Sequence, residues 1–558
     1  MNTGLDFTVR CISSLEKVFA DEPLKAPEFK QASALKGEVY SFQVAYHTEA
    51  RHGYIRVRAE SDLPSPVFVR RVGLSPSEYP IQRGKGEVDN LLRDKPGLYP
   101  DPLYPIAEGE AFRLLPDQWR AVWVTAEIGE DVPAGKYDIR VHFEMESGEH
   151  LATETFQLEV INAKLPPQKL IHTEWFHTDC LAVYYNVEVF SEEHWRRIEQ
   201  YVETAVKHGI NTILTPLFTP PLDTAVGGER PTVQLVDVVK NGDRYTFGFD
   251  KLDRWIELCQ SKGIQNFEMS HLFTQWGAAH APKIMAVEDG VEKRIFGWET
   301  DAAGEQYRNF LDQFLPEIVK YVKNKGLENN VFFHVSDEPR LEHLESYRAA
   351  KEAVVHHLEG FTIMDALSSV EFYRQGLVRN PIPANNHIDD FIAENVPNLW
   401  TYYCVSQFQK VSNRFFAFPS ARNRIIGMQL FKFDIVGFLH WGYNFWFTQF
   451  SLKAIDPFKV TDAGGAFPSG DPFLVYPGED GPIESIRMEV FYEALQDLRA
   501  LQLLESLAGK EKALELIEGD LEEKLTFDRY PTEAEWLLKK REQINRAIAE
   551  AVNAGGSM

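Results

Sequence analysis

Two adjacent carboxylates, Asp337 and Glu338, stand directly after the run Val331-Phe332-Phe333-His334-Val335 and just before Pro339. The run follows Asn329-Asn330 and has the composition of a buried strand. Pro339 disfavours the helical region for the residue before it, so Glu338 is expected on extended chain. Leu344, Tyr347, Ala350, Val354 and Leu358 then recur at helical spacing over residues 341–358. Strand, acidic corner and helix make one βα unit. In a barrel enzyme the chemistry sits at such C-terminal strand ends. Acids at a helix start also interact favourably with the helix dipole and can have no further role. The surrounding residues decide between these readings.

Hydrolysis of a glycosidic bond usually needs an acid and a second carboxylate from another strand. Asp434, after the run Ile425–Phe431, is the acid nearest to such a second position. An adjacent pair suits a different route. Neighbouring side chains at a strand end diverge, so one carboxyl can reach the leaving oxygen and the other the substituent at C2. If that substituent is an acetamido group, its carbonyl oxygen can attack the anomeric carbon and no enzyme nucleophile is needed. Glu338 is then the general acid and requires a raised pKa. Asp337 stays ionised, orients the acetamido N–H and balances the oxazolinium charge. A tyrosine hydroxyl to the acetamido oxygen completes the set, with Tyr402 and Tyr403 as candidates.

These groups need strands to position them. Eight candidates lie at residues 170–176, 212–217, 266–272, 331–335, 362–367, 399–404, 424–431 and 435–440. Helical patterns fall between most of them, and those at residues 192–208, 249–262 and 301–324 lead to the glycine stops Gly209, Gly263 and Gly326. The expected fold is a central (β/α)8 TIM-like barrel with insertions. A doubly wound sheet is the alternative, but neither G-x-G-x-x-G nor a Walker loop is present. Polar residues at the strand ends are further candidates: Glu174, His177 and Asp179, then His271, His334, Asp365 and the two tyrosines. After the last strand comes His440-Trp441-Gly442-Tyr443-Asn444-Phe445-Trp446. Trp441, Tyr443, Asn444 and Trp446 there combine apolar faces with an amide, as a pocket for a pyranose requires.

Before the barrel, short alternating runs recur between Tyr40 and Val160, separated by Gly, Pro and Asp, as in an antiparallel β-sandwich. Pro166-Pro167 marks a stiff linker. The expected organisation is multidomain: β-sandwich 1–165, catalytic barrel 170–490 and C-terminal helical extension 491–558. The late helices are expected to pack on the barrel flank, the functional alternative being a homodimer contact or a lid. The last residues, Gly555-Gly556-Ser557-Met558, read as a frayed end. With 58 basic against 83 acidic residues the net charge is −25, which argues against nucleic-acid and anionic-membrane partners. The cysteines, Cys11, Cys180, Cys259 and Cys404, are scattered with neither zinc spacing nor a disulfide framework. His172, Glu174 and His177 lack a supporting metal motif such as H-E-x-x-H. No metal and no cofactor are expected. The start Met1-Asn2-Thr3-Gly4-Leu5-Asp6 lacks the pattern of a secretory leader, so a cytoplasmic location is expected.

The Asp337-Glu338 pair, the run Trp400-Thr401-Tyr402-Tyr403-Cys404 and the segment Trp441 to Trp446 together resemble glycoside hydrolase family 123. So do Gly470-Asp471-Pro472, Tyr476-Pro477-Gly478 and Glu484 to Glu489. The resemblance extends over residues 1 to about 500. It implies a retaining exo-β-N-acetylgalactosaminidase with substrate assistance, acting on a terminal β-linked N-acetylgalactosamine glycan. It also implies Glu338 as the acid, Asp337 as the oxazoline stabiliser, and Trp441, Asn444 and Trp446 at the terminal-sugar subsite. Phe491 to Asp497 departs from the family's usual Arg-x-Gly-x-Glu-Asp pattern. Two alternatives stand beside this reading. One is a glycosidase for an unacetylated or N-acetylglucosamine sugar, and the other a glycan-binding protein without catalysis.

Overall fold

The computed structural model describes residues 7–49, 53–83 and 86–555, so the start Met1 to Asp6 and the tail Gly556 to Met558 lie outside the described residues. Two five-stranded sheets face each other in the N-terminal part. One has the order Phe7–Ser13, Val39–Thr48, Arg120–Glu127, Val67–Ser77, Gly97–Pro105. The other runs Gln31–Lys36, His150–Lys164, Gly135–Met145, Gly53–Ser61, Phe112–Leu114. Alternating residues of both sheets, among them Phe42, Val44, Val124, Val141 and Phe156, form a common core. Phe42 stacks on Phe156 across it with ring centroids 4.2 Å apart. Pairing is antiparallel except where Gln31–Lys36 runs parallel to His150–Lys164.

Eight parallel strands follow: β1 Ile171–Glu174, β2 Thr212–Thr215, β3 Asn266–Met269, β4 Val331–Phe333, β5 Thr362–Ala366, β6 Asn380–Ile382, β7 Trp400–Tyr402 and β8 Gly437–His440. Their order is β6-β5-β4-β3-β2-β1-β8-β7. A single parallel bridge, Ala384 to Tyr402, links the two ends, so the barrel is nearly closed. Helices follow the strands, but the alternation is irregular: those after β5 and β6 have four and six residues. Gly263 ends its helix in the left-handed region, at φ 109°.

Two segments differ from expectation. Residues 424–431 are helical, within Ser420–Arg424 and Ile426–Lys432. They are buried on every side because they lie between the barrel and the helix Ile486–Ala508, with Arg424 and Gln429 finding buried polar partners there. A Cβ on Gly427 would stand 2.1 Å from the Ala494 carbonyl oxygen. An all-round buried helix shows no amphipathic period and imitates a core strand. The strand that takes its place in the count, β6, is three residues long and contains Pro381, which suits its place at the open end of the sheet.

Loops after β2 and β3 carry a four-stranded insertion, built from Asp237–Asn241, Arg244–Gly248, Ile284–Glu288 and Val291–Phe296. The helix Ile486–Ala508 crosses the expected boundary at residue 490 and belongs to the same core as the barrel. Lys510–Glu518 and Ala534–Gly555 complete the chain's helices. Among the described residues no helix is long and apolar enough to cross a membrane.

Candidate active site

The chain continues beyond β4 through His334, Val335 and Ser336, all fully buried, to Asp337 and Glu338, which are half-buried and line one cavity. The pair is held from both sides. The Asp337 carbonyl accepts the Trp276 N–H from the loop after β3, and the Glu338 N–H donates to the Ala366 carbonyl at the end of β5. Glu338 is not extended as Pro339 suggested but left-handed, with φ 43°. The cost of that conformation is carried by the contacts around it, as in many active sites.

The cavity measures about 400 Å³ and opens at the C-terminal ends of the strands. Trp175, Trp276, Tyr402, Trp441 and Phe450 supply aromatic walls, and Asp223, Gln275, Gln449 and Arg340 supply polar groups. Burial raises the Glu338 carboxyl above the usual carboxylate range, against the opposing effects of Tyr402 and Arg340. Its Oε1 accepts the Tyr402 hydroxyl at 2.5 Å. Asp337 is pushed well up, by burial first and then by the charge of Glu338. Two like charges side by side favour retaining a proton on the pair.

Of the expected site residues, Tyr402 and Trp441 join the pair in the cavity. Asp471 holds Trp441 by its Nε1 at 3.0 Å. Tyr403 points away and donates to Asn423 at 3.2 Å. Tyr443, Asn444 and Trp446 are buried behind the cavity. The Tyr443 hydroxyl donates to the Tyr201 carbonyl, the Asn444 amide clamps both backbone groups of His177, and Trp446 packs its edge on Tyr184 and Tyr201. The reason lies at Gly442, whose missing Cβ lets the chain press against Pro472 and turn inward. Asp434 is exposed on the flank and paired with Lys510.

Glu174, His271, His334 and Asp365 form the barrel interior beneath the cavity. Glu174 is held bidentately by Arg414 at 2.7 and 2.8 Å. His172 meets Glu174 at 3.3 Å, but His177 turns to Arg230 and the Trp441 carbonyl, so these three do not converge. His334 donates its Nε2 proton to Glu268 at 2.9 Å, and its Nδ1 lies 3.4 Å from Asp365. Its pKa rises to about 10 because hydrogen bonds and charges of these carboxylates outweigh burial. Asp365 also accepts the Tyr347 hydroxyl at 2.5 Å. His271, His334 and Asp365 bring ligand atoms within 4.8 Å of one another. The two imidazoles, however, stack with planes 22° apart and centroids 4.5 Å apart. Ring lone pairs lie in the ring plane, so near-parallel rings cannot both point at one ion. The arrangement suits an imidazolium between carboxylates.

Asp223, Gln275, Trp276, Gln449 and Phe450 were not singled out by sequence. They sit on long loops, and Asp223, Trp276 and Phe450 have left-handed backbones that no pattern in these residue types announces. Trp175, just beyond β1, was not singled out either. A larger groove, of about 520 Å³, lies between the sandwich and the helix Ala534–Gly555. Several of its charges are spent on each other, Arg546 pairing with Glu159 and Glu542.

The fold is similar to that of a family 123 glycoside hydrolase from Clostridium perfringens, with a TM-score of 0.74 at 15% identity over 98% of both chains. An endo-β-1,4-mannanase from Thermotoga petrophila aligns with a TM-score of 0.34 at 14% identity, over 60% of this chain and 77% of its own. A Parabacteroides merdae β-glucuronidase aligns with 0.29 at 10%, over 88% and 51%. No curated protein sequence matches the chain. Residues 175–504 match the family described as glycoside hydrolase 123, catalytic domain. That span is more than half of the chain and contains the whole cavity: the protein belongs to glycoside hydrolase family 123.

Proposed function

We propose that the protein removes a terminal β-linked N-acetylgalactosamine with retention of configuration, using the substrate's own acetamido group. The observation that carries this reading is the Asp337–Glu338 pair, two adjacent half-buried carboxylates that face one cavity with raised proton affinity. Glu338 donates its proton to the leaving oxygen as the acetamido carbonyl oxygen attacks C1 and the glycosidic bond breaks. Water then attacks C1 of the oxazolinium from the face the leaving group left, the bond between C1 and the acetamido oxygen breaks to restore the acetamido group, and the water's proton goes to Glu338. The acetamido N–H needs an acceptor, and positive charge develops beside it. Both favour the anionic form of Asp337, so binding of this sugar draws the shared proton toward Glu338. The galacto preference rests on family membership. The Clostridium perfringens relative is described as acting in glycolipid glycan hydrolysis, which makes a glycolipid glycan a natural first substrate class.

A second reading has a specific observation behind it. Asp223 lines the same cavity, so a conventional two-carboxylate glycosidase for an unacetylated sugar would use Asp223 rather than the distant Asp434. Nitrophenol release from β-linked N-acetylgalactosaminide, N-acetylglucosaminide and galactoside separates the two. The expected result is fastest turnover of the first, with inhibition by a thiazoline analogue of the cyclised acetamido sugar. Turnover of galactoside alone, without thiazoline inhibition, would favour Asp223 chemistry. Binding without turnover across the panel would indicate a glycan-binding protein.

A further inference from the structure

Asp223 is placed with unusual care for a loop residue. Its Oδ2 accepts the Phe450 N–H at 2.9 Å, and its carbonyl accepts the Ser451 hydroxyl at 2.7 Å. The Ala225 N–H donates to the Phe450 carbonyl at 3.0 Å, and Gln275 donates to the Thr224 carbonyl at 3.1 Å. The loops after β2, β3 and β8 are thus joined at this point. Asp223, Phe450 and Ser451 all pay for it with left-handed backbones, at φ 38°, 60° and 55°. Among the described residues Oδ1 of Asp223 has no hydrogen-bond partner, although the residue lines the cavity.

The charges facing the cavity are one-sided. Asp223, Asp337 and Glu338 line it, and the one lining cation among the described residues, Arg340, is exposed. The nearby cations are already engaged: Arg230 by Asp179, Arg414 by Glu174, and His334 between Glu268 and Asp365. Asp471, behind Trp441, adds a further carboxylate. Burial raises the Asp223 carboxyl to about 6, so it is mostly ionised at neutral pH, whereas Asp337 is pushed well up by burial and by the charge of Glu338. It adds a negative charge to the cavity at a point away from the Asp337–Glu338 pair. A carboxylate with a free oxygen accepts hydrogen bonds from sugar hydroxyls and repels an anionic substituent at the same position.

We infer that Asp223 is a specificity-determining residue whose free oxygen accepts a hydroxyl of the terminal sugar and excludes a sugar bearing a sulfate ester. This rests on the proposed hexosaminidase reading. It also places the enzyme in a reaction sequence: on a sulfated glycan, hydrolysis of the sulfate ester must come first and supply the unsulfated terminal sugar.

The test compares nitrophenyl N-acetyl-β-galactosaminide with its 4- and 6-sulfates, using wild type and Asp223→Asn. The substitution keeps an acceptor for the Phe450 N–H, so the loop junction persists. Wild type is expected to favour the unsulfated substrate by roughly a hundredfold in kcat/KM over at least one sulfate, and Asp223→Asn to narrow that ratio by roughly tenfold. A purely structural role for Asp223 would slow all substrates alike and leave the ratio unchanged, which would overturn the inference. Equal wild-type turnover of plain and sulfated sugars would also overturn it. Loss of all turnover in Asp223→Asn would reassign Asp223 as a catalytic carboxylate. Wild-type inactivity on every member would instead defeat the underlying hexosaminidase reading, and this inference with it.

Discussion

Glu174 and the Asp337–Glu338 pair are carboxylates at the ends of barrel strands, removed from bulk water to different degrees, and their acidities move in opposite directions. Arg414 grips Glu174 with two charge-assisted hydrogen bonds, and the carboxyl is held far below its usual range despite full burial. At the end of β4, among the described residues, no guanidinium grips the pair in this way, and the His334 charge that lowers Asp337 is outweighed by burial and by Glu338. Glu338 has a neutral tyrosine hydroxyl and the exposed Arg340, and Asp337 has Glu338 beside it. Burial therefore prevails and the proton stays. One sheet thus carries a carboxylate fit to brace the barrel and a pair fit to exchange a proton. The guanidinium decides which is which.

The comparison breaks most visibly if the pair is altered. Glu338→Gln removes the proton donor and is expected to lower kcat/KM on a nitrophenyl N-acetylgalactosaminide by ~10²–10⁴, the usual contribution of general acid catalysis. Asp337→Asn should fall within the same range. Circular dichroism and thermal unfolding should show folded protein in both cases, because the two residues are half-buried at the cavity and the amide oxygen introduced by Glu338→Gln can still accept the Tyr402 hydroxyl. Full activity in Glu338→Gln would remove it from the acid's role.

The opposite side is tested by Arg414→Met. It leaves Glu174 buried without its counter-ion, and breaking such a pair costs about 3–5 kcal/mol, read as a lower thermal midpoint. The pH dependence has a definite sign. In wild type the Glu174 pKa is depressed, so its contribution is present above the ordinary glutamate range and is lost as pH falls through the depressed value. In Arg414→Met the buried carboxyl is best neutral, so acidification should recover stability. A midpoint that falls with pH in both proteins to the same extent would show that the pair contributes little.

The legible parts of this molecule were those written in contiguous residues. Val331 to Glu338 shows a strand and an acidic corner in one reading frame, and Gly263 and Gly326 mark helix ends by a local conformational need. What escaped depends on distance or on shape. Arg414 lies 240 residues from Glu174, and nothing local pairs them. Ile425 to Phe431 was misread because burial on all sides erases the helical period, and β6 because three residues with a proline show no period at all. In Trp441 to Trp446 the composition was that of a sugar pocket, yet just Trp441 reaches the cavity, since Gly442 turns the others into the wall behind it. The acidic pair could be found from residue types; the loops that complete its cavity are set by left-handed positions at Asp223, Trp276 and Phe450.

Tyr402 provides the finest test, because it is to Glu338 a weak version of what Arg414 is to Glu174. Its hydroxyl donates to Oε1 and so favours the ionised carboxylate, opposing the effect of burial. Tyr402→Phe removes that donor. A hydrogen bond to a charged group contributes about 1.5–3 kcal/mol, so turnover is expected to fall by roughly tenfold to a hundredfold if the bond also serves the reaction. The direction of the pH effect is the sharper readout. A general acid works while protonated, and the alkaline limb of kcat/KM follows its pKa. Without the hydroxyl the Glu338 pKa rises further, and the alkaline limb should move to higher pH. A limb that moves down, or stays while kcat falls, would mean that the hydroxyl acts on the substrate and leaves the acidity of Glu338 to burial and Arg340.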